Sequence, residues 1–394
     1  MSFNTERKRI LFVHHVSSIG GGSYCLLNII KSINRSLFEP IVLLCGHGTL
    51  VEELCKLEVK VIFLPSLTQI PYNHSLFRIA SIKGYLHVFR SLRCFKAVLQ
   101  REHIDIVYLN NMMIAPYLIP AKKCGCKTVL HVREHWPLNE HKGQLNWLRK
   151  IVNENCDKLV AINNYSASIF PEKESTIVYD WIDMTERYKY ISLDELLGED
   201  CSGKKVILHT GGLSRMKGAD YVIKAFSKYV KGDEYRLLVL DGIYPTNKWR
   251  DRIKLILYHL GIDRGVEVRK IIEADKRIKC VPAIFELTHI IQQSYCFMSY
   301  FRIPHANLSL AENIILGKPC LAADTEEARE YSNNGEYAML ITPNRTSQFE
   351  EKIIEFLKNI DYWRIAAEKG SSVIAGVFDS KKNSDKLSRV LEEL

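Results

Sequence analysis

The chain has 394 residues, of which 47% are hydrophobic and 25% charged, and it carries a net charge of +9. That length exceeds one ordinary hydrophobic core and predicts two domains, and the composition excludes a disordered or fibrous chain. No apolar run approaches the roughly 18 residues of a membrane-spanning helix.

The polar, basic N-terminal stretch runs directly into the first apolar segment and lacks the apolar core of a signal peptide. Eleven cysteines are scattered along the chain, and only Cys124 and Cys126 lie close together. One such pair is a weak metal signal, so reduced thiols, a cytoplasmic setting and no metal site are expected.

Residues 9–14 form a β-rich run, followed by Ser17-Ser18-Ile19-Gly20-Gly21-Gly22-Ser23 and an apolar helical pattern over 24–33. Cys25 breaks the Gly-x-Gly-x-x-Gly spacing, and the second strand, 40–45, ends in Cys-Gly-His-Gly without an acidic ribose ligand. A dehydrogenase-type dinucleotide site is therefore disfavoured. Apolar runs at 10–14, 41–45, 59–64, 106–110, 128–132, 159–162 and 176–178 alternate with helical patterns. That rhythm predicts an α/β domain wound around a parallel sheet.

Residues 78–101 hold six basic side chains (Arg78, Lys83, Arg90, Arg93, Lys96 and Arg101) and no acidic one. On a helical wheel Tyr85, Val88, Leu92, Phe95 and Leu99 form the apolar side, with Lys83, Arg90 and Arg101 opposite. The helix is a candidate for peripheral contact with anionic lipid at the inner face of a membrane. The commoner arrangement packs the apolar side on the domain's own sheet and leaves the charges solvated. Basic residues are not interleaved with stacking aromatics, so nucleic acid is not an expected partner.

At 128–133 the strand Thr-Val-Leu-His-Val-Arg runs into Glu134. Polar groups at the carboxyl end of a parallel strand point into the ligand crevice, which makes His131, Arg133 and Glu134 candidates. A purely structural alternative pairs Arg133 with Glu134. Residues 184–203 are polar and acidic and read as a crossover. The rhythm then resumes at 205–209, 236–240, 278–281, 295–299, 320–323 and 339–341, and the last segment, 363–394, is helical in pattern.

Two turns in this second half carry the strongest signal. Residues 209–218 read His-Thr-Gly-Gly-Leu-Ser-Arg-Met-Lys-Gly. Gly211 and Gly212 let the backbone approach a ligand, and Lys217, with Arg215 as a second candidate, would meet a diphosphate at the next helix N-terminus. Near 300, Phe-Arg-Ile-Pro-His-Ala-Asn-Leu leads into a helix of about ten residues capped by Asn307 and ending before Gly317. Glu312 lies too far into that helix to be a cap.

These stretches resemble the GT-B glycosyltransferases of the family 4 (group 1) type, most specifically over 205–345. Lys217-Gly218 and Val222-Ile223-Lys224-Ala225-Phe226 match the family's Lys-Gly pair and helix, and Glu312 matches the second of its two glutamates. Gly212 stands where relatives carry an arginine, and Pro304 stands where they carry the first glutamate. The resemblance implies two facing Rossmann-like α/β domains with parallel sheets and a cleft between them. Residues 1–185 would bind the acceptor, 186–373 the nucleotide sugar, and 374–394 would form a C-terminal helix returning to the first domain.

It also implies a retaining hexosyltransferase that uses a nucleotide-sugar donor and a saccharide or lipid-linked acceptor, in surface polysaccharide or glycoconjugate synthesis. Glu312 would hold the donor ribose. His305, Asn307 and Leu308, with the amides of 306–308, would take the sugar contacts that Pro304 cannot make. Gly20, Gly21 and Gly22 would touch the acceptor or the donor phosphates, and His131 would lie near the reacting sugar. The chain has no Asp-x-Asp metal motif, so Lys217 and helix N–H groups would stabilise the leaving diphosphate without a metal or other cofactor. The rival readings are a nucleotide-sugar epimerase of the same architecture and a catalytically degenerate partner of another transferase.

Overall fold

The computed structural model describes residues 7–71, 79–182, 190–214, 216–240, 265–282, 284, 287–302, 304–342 and 346–394. Arg215, proposed from the sequence as a phosphate contact, lies outside the described residues. The chain divides into two compact units: Met1–Trp181 with Asp379–Leu394, and Ile182–Phe378.

The N-terminal unit is built on β1 (Lys8–Val13), β2 (Phe38–Leu44), β3 (Lys60–Phe63), β4 (Ile106–Leu109), β5 (Lys127–Val132), β6 (Lys158–Ala161) and β7 (Ser175–Ile177). Among the described residues these form one sheet in the order β3-β2-β1-β4-β5-β6-β7, every pair parallel. Continuous apolar runs suit such strands because both faces of a parallel sheet are covered. In β1 the faces alternate. Leu11 and Val13 join a core with Val88, Phe95 and Leu99, whereas Ile10 and Phe12 join another with Leu26 and Ile30. That second core also contains Leu387, Val390 and Leu391 of the helix Ser380–Glu392, whose N-cap Asp379 accepts from the Lys382 amide at 2.6 Å.

The C-terminal unit repeats the plan with β8 (Lys205–His209), β9 (Tyr235–Leu240), β10 (Ile278–Val281), β11 (Cys296–Met298), β12 (Cys320–Ala323) and β13 (Met339–Ile341). Their order is β10-β9-β8-β11-β12-β13, again parallel throughout. Among the described residues of the stretch read as a crossover lies one short helix, Leu193–Leu197, capped by Ser192 and closed by Gly198 at φ 69°.

Among the described strands the winding reverses once in each sheet. The N-terminal sheet reverses between β1 and β4, and the C-terminal sheet between β8 and β11. Beyond the carboxyl ends of such a strand pair the connections leave to opposite sides, which opens a crevice. No helix among the described residues is long and apolar enough to cross a membrane.

The C-terminal helix fills the N-terminal core, so Leu391→Ala should destabilise that unit by about 2–4 kcal/mol through lost burial and a residual cavity. Urea denaturation followed by hydrogen exchange should show faster exchange in β1 and β4 and unchanged protection in β8 and β11. Equal loss in both units would contradict the assignment of this helix to one core.

Candidate functional site

In the C-terminal unit the loops after β8 and β11 are stitched together at the reversal point. Gly218 has φ 70°, and a Cβ there would stand 1.8 Å from the Tyr300 carbonyl oxygen, so only glycine fits. The Arg302 amide donates to the Met216 carbonyl at 3.0 Å. The Arg302 guanidinium pairs with Asp220, in the first turn of the helix Ala219–Tyr229, and lies 4.0 Å from the Tyr221 ring centre. These contacts place half-buried Lys217 immediately before the N-terminal turn of that helix.

His209 closes the floor of the same loop. Its Nδ1 donates to the Met298 carbonyl at 2.9 Å, which leaves Nε2 as a bare acceptor, buried and without a partner among the described residues. A Cβ on Gly211 would meet Nε2 at 2.7 Å and the Lys217 Cβ at 3.0 Å. Burial, only partly offset by the Met298 carbonyl, lowers the His209 imidazole to about 4, and the nearby Lys217 charge adds to the lowering. His209 is therefore neutral at physiological pH.

Asn307 caps the helix Leu308–Ile315 as the sequence predicts, accepting from the Leu310 amide at 3.3 Å. Its side-chain amide donates to Ser299 Oγ at 2.9 Å, so the cap is anchored to the end of β11. Leu308 opens the helix, and half-buried Glu312 follows one turn later. His305 is exposed, with its ring 6.0 Å from that of Phe301.

The N-terminal unit carries a buried polar network at its own reversal point. Asn110, just past β4, directs its side-chain amide to His14 Nδ1 at 3.2 Å and to the Gly22 carbonyl at 3.3 Å. His14 Nε2 meets Ser23 Oγ at 3.1 Å, and that hydroxyl donates to the Ser18 carbonyl at 2.8 Å. Arg133 donates from Nε to Asn110 Oδ1 at 2.8 Å and pairs through Nη1 with Asp180. The pairing of Arg133 with Glu134 anticipated as a structural alternative is absent. Glu134 Oε2 instead accepts the backbone amides of Arg133 and Met112, at 3.1 and 2.9 Å. Burial pushes the Glu134 carboxyl up to about 7 against the pull of those two amides.

His131 is fixed in one tautomer. Arg133 Nη2, always a donor, lies 3.2 Å from its Nδ1, and the Tyr108 hydroxyl lies 2.6 Å from the same atom. Nδ1 must then accept, and the proton sits on Nε2, which is buried and has no partner among the described residues. Burial, then the Arg133 charge, holds His131 well below the usual imidazole range. It presents a neutral N–H donor rather than a base. A Cβ on Gly20 or Gly21 would meet nothing within 4 Å, so the fold of this unit does not itself demand glycine at either position.

Residues 200–373 match the family described as glycosyl transferases, group 1. Over these residues the chain is similar to the group 1 glycosyltransferases. It is 22% identical over 352 residues to an uncharacterized glycosyltransferase of Methanocaldococcus jannaschii, with 85% of each chain covered. It is 23% identical over 306 residues to N-acetyl-alpha-D-glucosaminyl L-malate synthase of Bacillus anthracis, covering 72% of this chain and 74% of that one. The crystal structure of Anabaena HepE in complex with UDP-glucose superposes with a TM-score of 0.71 at 17% identity, over 98% of this chain and 100% of that chain. The fold is accordingly of the GT-B type.

Within the matched stretch, Gly212 takes φ 60°. The left-handed backbone there favours glycine over the arginine of relatives. Sequence reasoning missed His14, Asn110, Asp180, His209 and Arg302. Asn110 and His209 end apolar strand runs and were visible as polar strand ends. Which strand ends adjoin one another was not.

The depressed imidazole of His209 has a signed consequence for stability. Between about pH 6.5 and 4 the unfolded chain binds more protons at this site than the folded one, so its contribution is full above 6.5 and is lost as pH falls through 4. His209→Asn, which retains a donor for the Met298 carbonyl, should remove about 3 kcal/mol of that acid-induced loss. Urea midpoints at pH 7 and pH 4 should therefore differ less in the variant than in the parent. Equal differences would refute the burial of a neutral His209.

Proposed function

We propose that this protein is a glycosyltransferase that moves a hexose-type sugar from a nucleotide-sugar donor to a saccharide or lipid-linked saccharide, with retention and without a metal. The observation that carries this reading is the pair of loops at the C-terminal reversal point, locked together by Gly218 on Tyr300 and Arg302 on Asp220. They present Lys217 and two helix N-termini on one sheet edge, which suits a diphosphate. The likeness to a protein crystallised with UDP-glucose supports a uridine diphosphate donor as the first to try.

In this reading Gly211 and Gly212 admit the diphosphate and Lys217 neutralises it. Glu312 accepts from the ribose hydroxyls, and His305 with the backbone of Asn307 and Leu308 contacts the sugar. In the N-terminal unit the acceptor is assigned to the loop of Gly20, Gly21 and Gly22, with His131 beneath it as a buried neutral imidazole. As the bond from the sugar C1 to the phosphate oxygen breaks, the acceptor oxygen bonds C1 from the same face. Its proton passes to the departing phosphate oxygen. Positive charge and aimed N–H groups stabilise that leaving group. By resemblance to the family the product belongs to surface polysaccharide or another glycoconjugate.

Lys217→Ala should lower turnover by about 100- to 1,000-fold, as loss of one donor to a developing oxyanion does elsewhere. The melting temperature without nucleotide should not change. Thermal stabilisation by UDP, GDP and ADP and their sugars names the donor beforehand. Turnover of the variant at the parent rate would sink the assignment of Lys217. Binding of a nucleotide without transfer to any acceptor, and without donor hydrolysis, would favour the non-catalytic partner instead.

A further inference from the structure

The helix Ile79–Arg101 meets the N-terminal core with one side, where Val88, Phe95 and Leu99 are buried and Tyr85 and Leu92 pack against the same cluster. This is the apolar side that the helical wheel identifies. A second apolar stripe lies on the solvent side. Ile82, Leu86 and Phe89 are 49%, 53% and 49% exposed, and their spacing sets them on one line along the helix. Arg93 and Lys96 continue that line towards the helix C-terminus, and Lys83 and Arg90 flank it. All four cations are exposed, and none has an ion-pair partner among the described residues. The helix contains no acidic residue.

A solvated polar face accounts for the cations but not for three large apolar side chains beside them. Another helix, Ile360–Val377, also exposes Tyr362, Ile365 and Val373. Its cations are neutralised, however, Arg364 by Asp361 and Lys369 by Glu336. Only the helix Ile79–Arg101 combines, among the described residues, an exposed apolar stripe with unpaired charge of one sign. A symmetric contact with a second copy would bring two copies of this cationic face together, with no acidic residue on the helix to offset the charge. A surface that is apolar at depth and anionic at its rim satisfies both features at once. Long basic side chains reach phosphates while apolar groups enter the acyl boundary.

We propose that this face docks the protein on a bilayer bearing anionic headgroups, with Ile82, Leu86 and Phe89 inserted and Lys83, Arg90, Arg93 and Lys96 on the headgroup phosphates. The proposal is independent of the transferase reading, since none of these residues belongs to either loop crevice.

The test is co-sedimentation of the full chain with vesicles of phosphatidylcholine alone and of phosphatidylcholine with phosphatidylglycerol. The parent should sediment with the anionic vesicles, weaken with salt, and leave the neutral vesicles largely unbound. The triple variant Ile82→Ser, Leu86→Ser, Phe89→Ser should lose at least about tenfold in partitioning. So should Arg90→Gln, Arg93→Gln, Lys96→Gln, at about fivefold for each charge removed. Unchanged far-ultraviolet circular dichroism and melting temperature without nucleotide in both triple variants would verify their fold. A separate Phe89→Trp variant should show a blue-shifted emission on anionic vesicles, which keeps the question open to measurement if a triple variant misfolds. Absence of sedimentation by the parent, or variants that bind as it does, would overturn the proposal. Concentration-dependent dimerisation abolished by the serine variant would overturn it too, in favour of an interface between copies.

Discussion

Parallel strands cannot be joined by tight hairpins, and much of this protein follows from that constraint. Each connection must cross from one end of the sheet to the other, so strand carboxyl ends collect along one edge. Among the described residues seven strands do this in one unit and six in the other. Where the winding reverses, two neighbouring strands send their chains to opposite sides, and the notch between them is left unpacked. Both units place their glycine-rich turns at that notch. The turns differ in what holds them: Gly218 and Gly211 are compelled by close neighbours, whereas Gly20 and Gly21 face open space.

Buried charge organises the polar groups around each notch. Burial works against the Arg133 guanidinium, but Asp180 and its other neighbours hold it above its usual range. Once charged, it directs the rest: it orients Asn110, and by donating to His131 Nδ1 it forces the proton onto Nε2. Removing one member of such a group strands the others without partners, so the network stands or falls together. Arg302 and Asp220 act similarly in the C-terminal unit, with Tyr221 beneath the guanidinium. Among the described residues the buried histidines His14, His131 and His209 are all pushed towards the neutral form by burial. The structure thus favours neutral hydrogen-bonding imidazoles over proton carriers at these positions.

Several elements were legible without coordinates. The runs at 205–209, 278–281 and 320–323 are strands with those bounds, because strands covered on both faces need unbroken apolar sequence. Asn307 was readable as a cap because capping is local: its side chain reaches an amide three residues on. Other features had no local signature. His14 and Asn110 are 96 residues apart, Arg302 and Asp220 are 82 apart, and Arg133 and Asp180 are 47 apart. For the helix Ile79–Arg101, periodicity identified the inner face, but Ile82, Leu86 and Phe89 belong to neither side of the two-sided wheel. Only packing shows which side chains the sheet leaves uncovered.

The sequence by itself determined the strand runs, the glycine turns, the Asn307 cap and the Lys217-Gly218 pair, since each rests on periodicity or on backbone rules acting within a few residues. Tertiary structure decided strand order, and with it which turns became neighbours. It also decided the protonation state of His131, His209 and Glu134, because a pKa depends on burial and on charges contributed by distant segments. Local sequence carries conformational preference. Proximity and desolvation arise only when remote segments meet.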